Sequence, residues 1–335
     1  MSALAAGLHF LAAAALCALL MVPIVRGLRR QGVLDHPNAR SLHAAPVPRG
    51  GGLAVVVTVM AAHAYGVAQG GAGGSGPLAA WALIALACGA LGWLDDFRPR
   101  PAGLRLVVQF VLAALFVTLV LPLPPLPPPL AVAAASALTV CVVWSVNLYN
   151  FMDGADGFAA SQALLGVGGA LLLPGTALSA PVLPVALALA GACAGFLRWN
   201  RPPARVFMGD VGSYFIGFEL AAVALLDIRA GGPACAWLIL FLPFLVDATL
   251  TLLWRMWRGQ RWWAAHRDHA YQRLVIDGWS HARLLGALAV LNVGLCWPLA
   301  WWARQQPSLA PVALGIGVAL VASLWAGIVM RAPRA

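Results

Sequence analysis

Long hydrophobic stretches follow one another along almost the whole chain, separated by short polar segments. A helix needs roughly 20 apolar residues to cross the hydrocarbon core of a bilayer, and each stretch has 16 to 23 residues. The pattern therefore predicts an all-α, polytopic integral membrane protein with one transmembrane domain over residues 1–335. We expect about eleven transmembrane helices, roughly at residues 3–25, 51–69, 78–94, 104–121, 130–146, 158–173, 181–197, 213–228, 234–254, 283–303 and 309–330.

The first stretch is predicted to be a retained transmembrane helix. No basic residue precedes it and no convincing cleavage site follows it, which argues against a signal peptide. Composition agrees with a chain embedded in the membrane, because 62% of the residues are hydrophobic and only 10% are charged. Since the spans take up most of the sequence, we expect no soluble domain.

The placement of arginine predicts the orientation of the bundle. All 21 basic residues are Arg, and cytoplasmic loops of membrane proteins carry the excess of positive charge. If the first helix runs from outside to inside, Arg229 and Arg304 lie outside and the other 19 (21 − 2) lie in inner loops or their flanks. We therefore predict an external amino terminus and a cytoplasmic carboxyl terminus. The net charge of +10 then reflects topology and attraction to anionic lipid, and nucleic-acid binding is not expected.

The inner loops are predicted to carry the function. They are longer than the outer loops and contain almost every polar motif, which places the working face at the cytoplasmic surface. Trp257, Trp262 and Trp263 alternate with arginines, a composition typical of a segment that lies on the membrane surface. The six Cys residues sit singly within apolar stretches, so neither a zinc ribbon nor a disulfide framework is indicated.

Acidic residues are rare, and most of the eleven gather near predicted helix ends. An Asp at the centre of a membrane helix costs about 3 kcal/mol, which explains their position at the water boundary. Asp95 and Asp96 form the first group. Two adjacent carboxylates suit a divalent cation, or one of them acts as a base with a raised pKa. The alternative is a solvated helix end that Arg98 and Arg100 neutralise.

A second polar group covers the end of the fifth predicted helix and the start of the sixth. Asn147, Asn150, Asp153 and Asp156 recur every three residues, so a helical turn can align some of them. A glycine follows each Asp and frees the backbone for close approach, as phosphate-handling loops often do. A plain turn or helix cap is the alternative interpretation.

Two further segments are candidate anion sites. Asp210 lies just before Gly212 and Ser213, at the predicted start of the eighth helix. A helix amino terminus with small residues is a natural anion site, beside which Asp210 could hold a Mg²⁺ that bridges to the same anion. Ser213 as a simple N-cap is compatible with this. In the first inner loop, Arg49 and the three glycines after it form another candidate cradle, with a flexible hinge as the alternative.

The last polar segment contains His266, Arg267 and His269. Zinc binding is disfavoured, because neither a Glu-x-x-His motif nor a cysteine accompanies the two histidines. Contact with phosphate or proton transfer fits better beside acidic metal sites. Glu219 and Asp247 remain within the predicted spans. The sequence leaves open whether Asp247 belongs to the site or pairs internally.

These groups together imply a metal ion. Carboxylates repel phosphates, so acidic clusters interleaved with Arg, His and glycine predict a cation between the protein and a phosphate. Mg²⁺ is the expected ion, with Mn²⁺ as the alternative, because carboxylate and amide oxygens suit it and substrate phosphates complete its shell. A site at the inner membrane surface, without a soluble domain, suits one lipid reactant and one soluble reactant.

The polar segments resemble those of the polyprenyl-phosphate N-acetylhexosamine-1-phosphate transferases, glycosyltransferase family 4. The resemblance extends in the expected order from residue 35 to residue 273 and rests on Leu94-Asp95-Asp96, Asn147-x-x-Asn150-x-x-Asp153-Gly-x-Asp156-Gly, Phe207-Met-Gly-Asp210-x-Gly-Ser213 and the loop from His266 to His269. It implies a multi-pass enzyme of the bacterial inner membrane. Such an enzyme would transfer a sugar-1-phosphate from a UDP-N-acetylhexosamine to undecaprenyl phosphate, release UMP and start a lipid-linked surface polysaccharide at the cytoplasmic leaflet.

The resemblance also implies roles for individual residues. Asn150 and Asp210 would bind the Mg²⁺. The expected catalytic residues are Asp95, Asp96, Asp153 and His266, and the expected substrate-binding residues are Arg49, Asn147, Asp156, Arg267 and His269. Asp95 would act as base or position the lipid phosphate, and the histidines would contact the pyrophosphate. Which carboxylate is base and which is ligand stays open.

Two departures favour one branch of the family. Peptidoglycan members that transfer the muramoyl-pentapeptide carry a third consecutive Asp and three consecutive His. Here Phe97 follows the Asp pair, and Arg267-Asp268 separate the two histidines. The form His-x-x-His-Ala-Tyr-Gln-Arg is more similar to the branch that starts O-antigen or other surface polysaccharides. We expect UDP-GlcNAc or a 6-deoxy relative such as UDP-FucNAc or UDP-QuiNAc as the donor.

Alternative functions remain at this point. A muramoyl-pentapeptide phosphotransferase is the alternative within the family, and a secondary transporter or a scaffold protein is the alternative from another class. A transporter needs charged residues near the midplane and helices broken in two matching halves, whereas Pro23, Pro184, Pro243 and Pro298 show no such pairing. A scaffold would not need the Asp and Asn clusters. The sequence fixes neither the sugar nor the oligomeric state, and it is compatible with a homodimer.

Overall fold

The computed structural model describes residues 1–37, 45–69, 71–121, 123–173, 178, 182–261, 263–264 and 266–331, with the backbone alone for residues 71–74. Most of the loop 35–43, predicted to be an inner loop, and of the loop 174–181, predicted to be an outer loop, lies outside these residues. The same holds for Arg40 and Arg334, which contribute to the predicted charge asymmetry, and for Trp262 of the predicted interfacial segment.

The described part of the chain is mainly helical, with one short pair of strands. In chain order the elements are α1 (Ala3–Arg30), β1 (Leu34–Asp35), β2 (Val47–Pro48), α2 (Gly52–Gln69), α3 (Gly71–Phe97), α4 (Ala102–Leu119), α5 (Pro128–Phe151), α6 (Phe158–Leu172), α7 (Val182–Asn200), α8 (Asp210–Arg229), α9 (Ala234–Leu240), α10 (Leu242–Trp257), α11 (Ala270–Ile276), α12 (His281–Leu291), α13 (Trp297–Gln305) and α14 (Ala310–Val329). A π-helical turn, Asn292–Cys296, joins α12 to α13, and a 3₁₀ turn, Pro307–Leu309, precedes α14. The strands β1 and β2 pair antiparallel, with Leu34 opposite Pro48.

Nine helical segments within the described residues are long and apolar enough to cross a membrane. They are α1 to α5, α7, α8, the continuous segment His281–Gln305 and the segment Pro307–Val329. The predicted all-α, polytopic membrane architecture is thereby confirmed. The predicted count of eleven is not confirmed, because the stretch 158–173 forms the shorter, 15-residue helix α6 and the stretch 234–254 forms the bent pair α9–α10.

The α9–α10 pair bends by 78° at Phe241. Pro243 lies in the first turn of α10, where a helix needs no backbone N–H donor. The bend frees the carbonyl of Leu240, which accepts a hydrogen bond of 2.9 Å from Nε2 of Gln162. Gln162 and Asn292 also exchange amide hydrogen bonds of 2.9 and 3.2 Å. Because an unsatisfied backbone group in lipid costs several kcal/mol, these two amides let a helix break inside the membrane.

A buried hydrogen-bond partner accounts for Glu219. Its Oε1 lies 2.8 Å from Nε2 of His63, and both side chains are fully buried between α8 and α2. Ionisable groups within a bilayer usually pair with one another, because an isolated charge there is costly. Glu219 therefore serves the contact between two helices.

Glycines bring three helices into backbone contact at the polar end of the bundle. A Cβ atom at Gly52 would lie 2.6 Å from the nitrogen of Gly212, and a Cβ atom at Gly92 would lie 2.6 Å from the nitrogen of Val211. No side chain fits at these distances, so α2, α3 and α8 can approach closely only because these positions are glycine. The contacts fix the place of Asp210, the first residue of α8.

Candidate active site at the helix ends

Charged and amide side chains from distant parts of the sequence meet where several helices begin or end. Asp95 and Asp96 lie in the last turn of α3, Asn150 lies in the last turn of α5, and Asp210 begins α8. Arg49 precedes α2 and pairs in a parallel bridge with Phe207, just upstream of Asp210. The structure thus brings together residues that the sequence spreads over more than 150 positions.

Asp96 caps the amino terminus of α8. Its Oδ1 accepts a hydrogen bond of 2.9 Å from the nitrogen of Asp210, and its Oδ2 accepts one of 3.0 Å from the nitrogen of Val211. The side chain is only 1% exposed. A helix amino terminus attracts an anion, and here the anion is a side chain of the protein. The predicted anion site at the start of α8 is therefore already filled by Asp96.

The N-cap of α8 is Gly209, and the predicted N-cap role of Ser213 is wrong. Gly209 has a φ of 75°, and a Cβ atom there would lie 2.6 Å from Oδ2 of Asp96. Ser213 instead lies inside the helix, where its hydroxyl accepts a hydrogen bond of 3.1 Å from Nδ2 of Asn150. The absence of a side chain at Gly209 therefore lets the Asp96 carboxylate reach the helix end.

Arg49 binds two carboxylates at once. Its Nε lies 2.8 Å from Oδ1 of Asp96, and its Nη2 donates to Oδ1 of Asp210 at 2.7 Å. Burial lowers the pKa of Arg49, but the charges of Asp210 and Asp96 outweigh that effect and raise it above its ordinary value. The arginine side chain is 35% exposed, so one part of it still faces the solvent side of the site.

The glycines after Arg49 form neither the predicted anion cradle nor the predicted hinge. The nitrogens of Gly50 and Gly51 donate to the carbonyl of Phe207, and the nitrogen of Gly52 donates to the carbonyl of Met208 at 2.8 Å. These N–H groups are therefore engaged within the protein and are not available to a phosphate. The segment is a packed junction between the start of α2 and the start of α8.

Arg105, from the first turn of α4, completes the cluster. Its Nη1 donates to Oδ2 of Asp95 at 2.5 Å and to the Tyr214 hydroxyl at 3.1 Å, and it lies 4.0 Å from Oδ2 of Asp210. The other oxygen of Asp95 accepts the backbone N–H of Arg100 at 2.6 Å. The expected neutralisation by the side chains of Arg98 and Arg100 is thus replaced by Arg105 and one backbone group. In the sequence, Arg105 was used only to predict the topology, and its contact with Asp95 was not predicted. The available signal was its position ten residues after Asp95, across the short connection between α3 and α4.

Asn150 and Asp153 extend the site toward the turn after α5. Nδ2 of Asn150 donates to Oδ1 of Asp210 at 3.0 Å. Asp153 is half-buried. Its removal from water raises the pKa of Asp153 well above the ordinary value of an aspartic acid, and the charges of Asp210 and Asp96 add to this effect against that of Arg49. The charges of the cluster therefore act on Asp153 as well, and with burial they favour the protonated form of its carboxyl.

Asn147 and Asp156 serve the fold in this structure. Nδ2 of Asn147 donates to Oε1 of Gln109 at 2.7 Å, which joins α5 to α4. Oδ2 of Asp156 accepts the backbone N–H of Ala204 at 3.0 Å and lies 3.1 Å from Nδ1 of His281. Substrate contact by Asn147 and Asp156 stays a prediction, since their described contacts are with other parts of the protein.

The histidine segment lies beside the end of α5. The His269 ring stacks on Phe151 with the centroids 6.2 Å apart, and the Tyr271 hydroxyl donates to the carbonyl of Phe151 at 3.0 Å. Gly154 leaves room for Tyr271, because a Cβ atom there would lie 3.2 Å from Cζ of the tyrosine. The glycine thus accommodates a side chain of the protein and not the predicted phosphate.

The two histidines differ from Arg267 in exposure and surroundings. Arg267 is exposed, whereas the rings of His266 and His269 lie with their centroids 4.9 Å apart in partly or fully buried positions. Burial, assisted by the charges of His269 and Arg255, lowers the pKa of His266 to about 4. His266 is therefore a neutral imidazole near pH 7.

Asp247 belongs to this segment. Its carboxylate accepts the backbone N–H groups of Ala270 and Tyr271, at 2.8 and 3.2 Å, and it lies 3.5 Å from Nδ1 of His269. The described contacts of Asp247 are thus internal ones that join α10 to the histidine segment.

An apolar cavity of about 360 Å³ opens behind the histidine segment. Its walls come from the turn after α5, from α6, α10, α11, α12 and α14, and include Met152, Phe158, Tyr271, Leu288 and Trp325. Cavities of this size and lining accept apolar groups of ligands. The charged cluster and an apolar space therefore lie on two sides of the same short turn.

The oxygen donors around Asp210 suit a magnesium ion. Among the described residues, no three His, Cys, Asp or Glu side chains are grouped as a metal site. Mg²⁺ in phosphate-binding sites, however, takes one or two carboxylates and completes its shell with water and substrate. The carboxylates of Asp95 and Asp210 lie beside the same nitrogen, since Nη1 of Arg105 is 2.5 Å from Oδ2 of Asp95 and 4.0 Å from Oδ2 of Asp210. Two carboxylates this close need a proton or a cation between them, and Asn150 adds an amide oxygen if its amide group is flipped.

Comparisons with known proteins agree with this chemistry. The sequence profile of glycosyl transferase family 4 matches residues 78–227. The chain is 33% identical over 328 residues to a phospho-N-acetylmuramoyl-pentapeptide-transferase of Synechococcus sp. (strain JA-3-3Ab), covering 88% of this chain and 91% of that protein. It is 28% identical over 296 residues to a probable undecaprenyl-phosphate N-acetylglucosaminyl 1-phosphate transferase of Bacillus subtilis (strain 168), covering 83% and 79%. It is 30% identical over 296 residues to a decaprenyl-phosphate N-acetylglucosaminephosphotransferase of Mycobacterium tuberculosis (strain ATCC 25618 / H37Rv), covering 76% and 72%.

The profile match includes the acidic pair of α3, Asn150 and Asp210. The similarity to the Synechococcus protein extends over most of both chains. The resemblance drawn from the motifs is thereby confirmed, while the relatives differ in the sugar that their names specify. This multi-pass membrane protein belongs to glycosyl transferase family 4, the polyprenyl-phosphate sugar-1-phosphate transferases, which use a UDP-sugar donor and a polyprenyl phosphate acceptor.

Proposed function

We propose that this protein transfers an N-acetylhexosamine-1-phosphate from a UDP-sugar to undecaprenyl phosphate, with release of UMP and formation of a lipid-linked sugar pyrophosphate. The observation that carries the proposal is the cluster of Asp95, Asp210, Asn150, Arg49 and Arg105 at the meeting point of the helix ends. It provides both hard oxygen donors and cationic groups, the combination that two phosphate-bearing reactants require.

Phosphoryl transfer depends mainly on positioning and on neutralising negative charge. In our proposal Asp210 and Asn150 bind Mg²⁺, for which Mn²⁺ can substitute. The ion would supply charge neutralisation at the phosphates of the two substrates. Arg49 and Arg105 are each paired with carboxylates but partly exposed, at 35% and 29%, so each can turn guanidinium donors toward a phosphate oxygen.

Asp95 fits the role of positioning the lipid phosphate or accepting its proton. It is held by Arg105 and by the backbone of Arg100, so its carboxylate is fixed before substrate binds. Asp96 has no free oxygen in this arrangement, and we assign it the support of Asp210 and Arg49. Asp153 is proposed to contact the nucleotide or its phosphates, because it lies in the turn after Asn150 and its pKa responds to the charges of Asp210 and Asp96.

His266 and His269 are proposed to contact the pyrophosphate from the other side. A neutral His266 contributes a hydrogen bond rather than a charge, because its pKa is about 4. Arg267 is exposed next to it and provides the cation of this segment. Donor phosphates would then lie between the carboxylate cluster and the histidine segment, with Asp153 between the two.

The apolar cavity supports a lipid acceptor. It is bordered by Met152, directly before Asp153, and by Tyr271 in the histidine segment, so a hydrocarbon chain there would end close to the proposed phosphate position. We further propose that the site faces the cytoplasm of a bacterial inner membrane, with the amino terminus outside and the carboxyl terminus inside. The 19-to-2 distribution of arginine supports this orientation.

The donor is proposed to be UDP-GlcNAc or a 6-deoxy relative, for a surface polysaccharide such as O-antigen. The two positions that depart from the peptidoglycan pattern have definite contacts here. Phe97 packs on Trp93 with the ring centroids 4.7 Å apart, and Asp268 pairs with Arg255 and Arg273. A muramoyl-pentapeptide donor is the second candidate, because curated relatives of both kinds match most of this chain.

The test is a donor panel with purified protein in detergent or nanodiscs. Undecaprenyl phosphate and Mg²⁺ are combined with UDP-GlcNAc, UDP-FucNAc, UDP-QuiNAc or UDP-muramoyl-pentapeptide, each labelled in the sugar. We expect label in the organic phase and equimolar UMP with an N-acetylhexosamine donor, loss of both after EDTA, and recovery with Mg²⁺ or Mn²⁺. Product only from the muramoyl donor would overturn the proposed specificity. Label that enters vesicles without UMP release would indicate a transporter.

A further inference from the structure

A buried carboxylate outside the charged cluster contacts the proposed catalytic machinery. Asp247 lies on α10, the second half of the bent pair, and is 6% exposed. It is the last carboxylate within the spans, and the family motifs quoted above do not include it. We infer that Asp247 is a positioning residue, which fixes the ring of His269 toward the phosphates; this inference rests on the proposed function.

Asp247 caps the start of α11. The two oxygens of Asp247 accept the N–H groups of Ala270 and Tyr271 at 2.8 and 3.2 Å. These are the first backbone donors of α11, which a helix leaves unsatisfied without a cap. His269 is the N-cap residue itself, and its side chain makes no cap hydrogen bond. The position of the His269 backbone is therefore set by a side chain from α10.

The ring of His269 lies beside the same carboxylate. Nδ1 of His269 is buried, has no hydrogen-bond partner within the described residues, and lies 3.5 Å from Oδ1 of Asp247. The ring stacks with Phe151 and with Tyr271, and the His266 ring lies 4.9 Å from it, so three neighbouring rings restrict its orientation. A carboxylate near Nδ1 favours the tautomer that carries a proton there. Nε2 is then the nitrogen left to contact the substrate.

Asp247 is itself held in place by a hydrogen bond from Thr251. The hydroxyl of Thr251 donates to Oδ1 of Asp247 at 3.1 Å and accepts a hydrogen bond of 2.9 Å from Nε1 of Trp325. This chain of hydrogen bonds joins α14, α10 and the histidine segment. Asp247 and Trp325 also border the apolar cavity, so the same carboxylate touches both the space proposed for the lipid chain and the histidine. Asp247 is therefore placed to hold His269 at a fixed position relative to a bound acceptor.

A double-mutant cycle tests the inference on the full-length protein. The variants are Asp247→Asn, His269→Ala and the combination, with kcat measured at saturating UDP-sugar and undecaprenyl phosphate. We expect Asp247→Asn to lower kcat about 10-fold or more, the range seen when a partner that orients a histidine is removed. In protein that already carries His269→Ala, Asp247→Asn should lower kcat by less than about 2-fold. An equal loss in both backgrounds would overturn the inference.

Asp227→Asn is the matched control. Asp227 is also a buried carboxylate, 2% exposed, and accepts Nε1 of Trp237 at the opposite end of α8. This variant should keep the wild-type kcat. A loss as large as that of Asp247→Asn would show a general sensitivity to buried Asp, and would count against a specific role.

If His269→Ala leaves no measurable activity, the inference is tested by a measurement that does not require turnover. Nitrogen-15 NMR of histidine-labelled protein reports the tautomer of each ring, and the signal that disappears in His269→Ala identifies His269. Wild-type protein should show Nδ1 protonated, and Asp247→Asn should shift the ring to a mixture of tautomers. An unchanged signal overturns the inference. If wild-type protein is inactive with every UDP-sugar, the proposed function fails on its own, while this spectrum still decides the role of Asp247.

Discussion

Asp96 and Asp210 carry the same charge within one cluster, yet the structure predicts different consequences when each is replaced by Asn. Both oxygens of Asp96 are in use, for the nitrogen of Asp210 at 2.9 Å and for that of Val211 at 3.0 Å. The side-chain donors of Asp210, from Arg49 and Asn150, both bind its Oδ1. An Asn side chain has one acceptor oxygen, which is sufficient at position 210 and insufficient at position 96.

The magnitude follows from the contacts that are lost. Asp96→Asn removes one hydrogen bond to a charged group, worth about 1.5–3 kcal/mol, and leaves a buried N–H of Val211 unsatisfied, which costs about 1–3 kcal/mol more. We expect the free energy of unfolding to fall by roughly 2.5–6 kcal/mol. Asp210→Asn keeps its described hydrogen bonds, and the loss of its charge opposite Arg49 is offset by relief of the repulsion from Asp95 and Asp96, so its stability should change by less than about 1 kcal/mol. Its turnover should nevertheless be lost, because the proposed metal ligand is gone.

The assay combines unfolding and activity on the same preparations. Unfolding in detergent micelles, followed by tryptophan fluorescence, gives the stability of wild type and both variants, and UMP release gives the turnover. The two substitutions change the net charge of the cluster equally, so each is the control for the other. Equal losses of stability would refute the capping argument in favour of a simple charge effect. An Asp96→Asn protein as stable as wild type but inactive would restore the direct chemical role that the sequence suggested for Asp96.

Arg105→Lys keeps the positive charge but loses the planar fork, so we expect kcat to fall about 10-fold with unchanged folding; wild-type kcat in a steady-state assay would contradict this. Burial, with help from neighbouring charges, lowers the pKa of His266 to about 4 from its ordinary 6.5, so between these values the unfolded chain binds more protons. Stability should therefore fall as the pH falls from about 6.5 toward 4, and His266→Gln should flatten this dependence; an identical slope in both proteins would count against it. Gly154→Ala places a methyl group against Tyr271 and should cost about 1–3 kcal/mol of stability. Gly168→Ala, in α6 with nothing within 4 Å of the new Cβ, should be neutral or slightly stabilising, and similar melting shifts for the two glycine variants would show that the tyrosine contact is unimportant.

Hydrophobic patterning was sufficient to predict the architecture, because a membrane span has a minimum length that the sequence displays directly. It was less reliable for α6 and for the α9–α10 pair. There the helix is short or broken, and the carbonyl exposed at the break is bound by Gln162 from another helix. A partner 78 positions away leaves no local trace in the sequence around Leu240.

The candidate site shows a similar division. Asp95, Asn150 and Asp210 do converge, as their rarity in an apolar chain suggested. Their separate uses could not be predicted, because the role of a carboxylate depends on which donors face each oxygen. Adjacent Asp95 and Asp96 point to different partners, Arg105 and the start of α8, and only the packing of α3 against its neighbours distinguishes them.

Backbone contact at Gly52, Gly92 and Gly212 has a practical consequence for engineering. Three helices that touch without intervening side chains cannot shift independently. The carboxylates and arginines at their ends therefore keep a fixed arrangement relative to one another. The segment around exposed Arg267 is attached differently, through a hydrogen bond from Tyr271 to a backbone carbonyl of α5 and through the Asp247 carboxylate of α10. A chimera that imports residues 263–273 from a muramoyl-pentapeptide relative, while retaining the glycine junction, should therefore change the proposed contacts to the pyrophosphate and leave the carboxylate–arginine cluster in place.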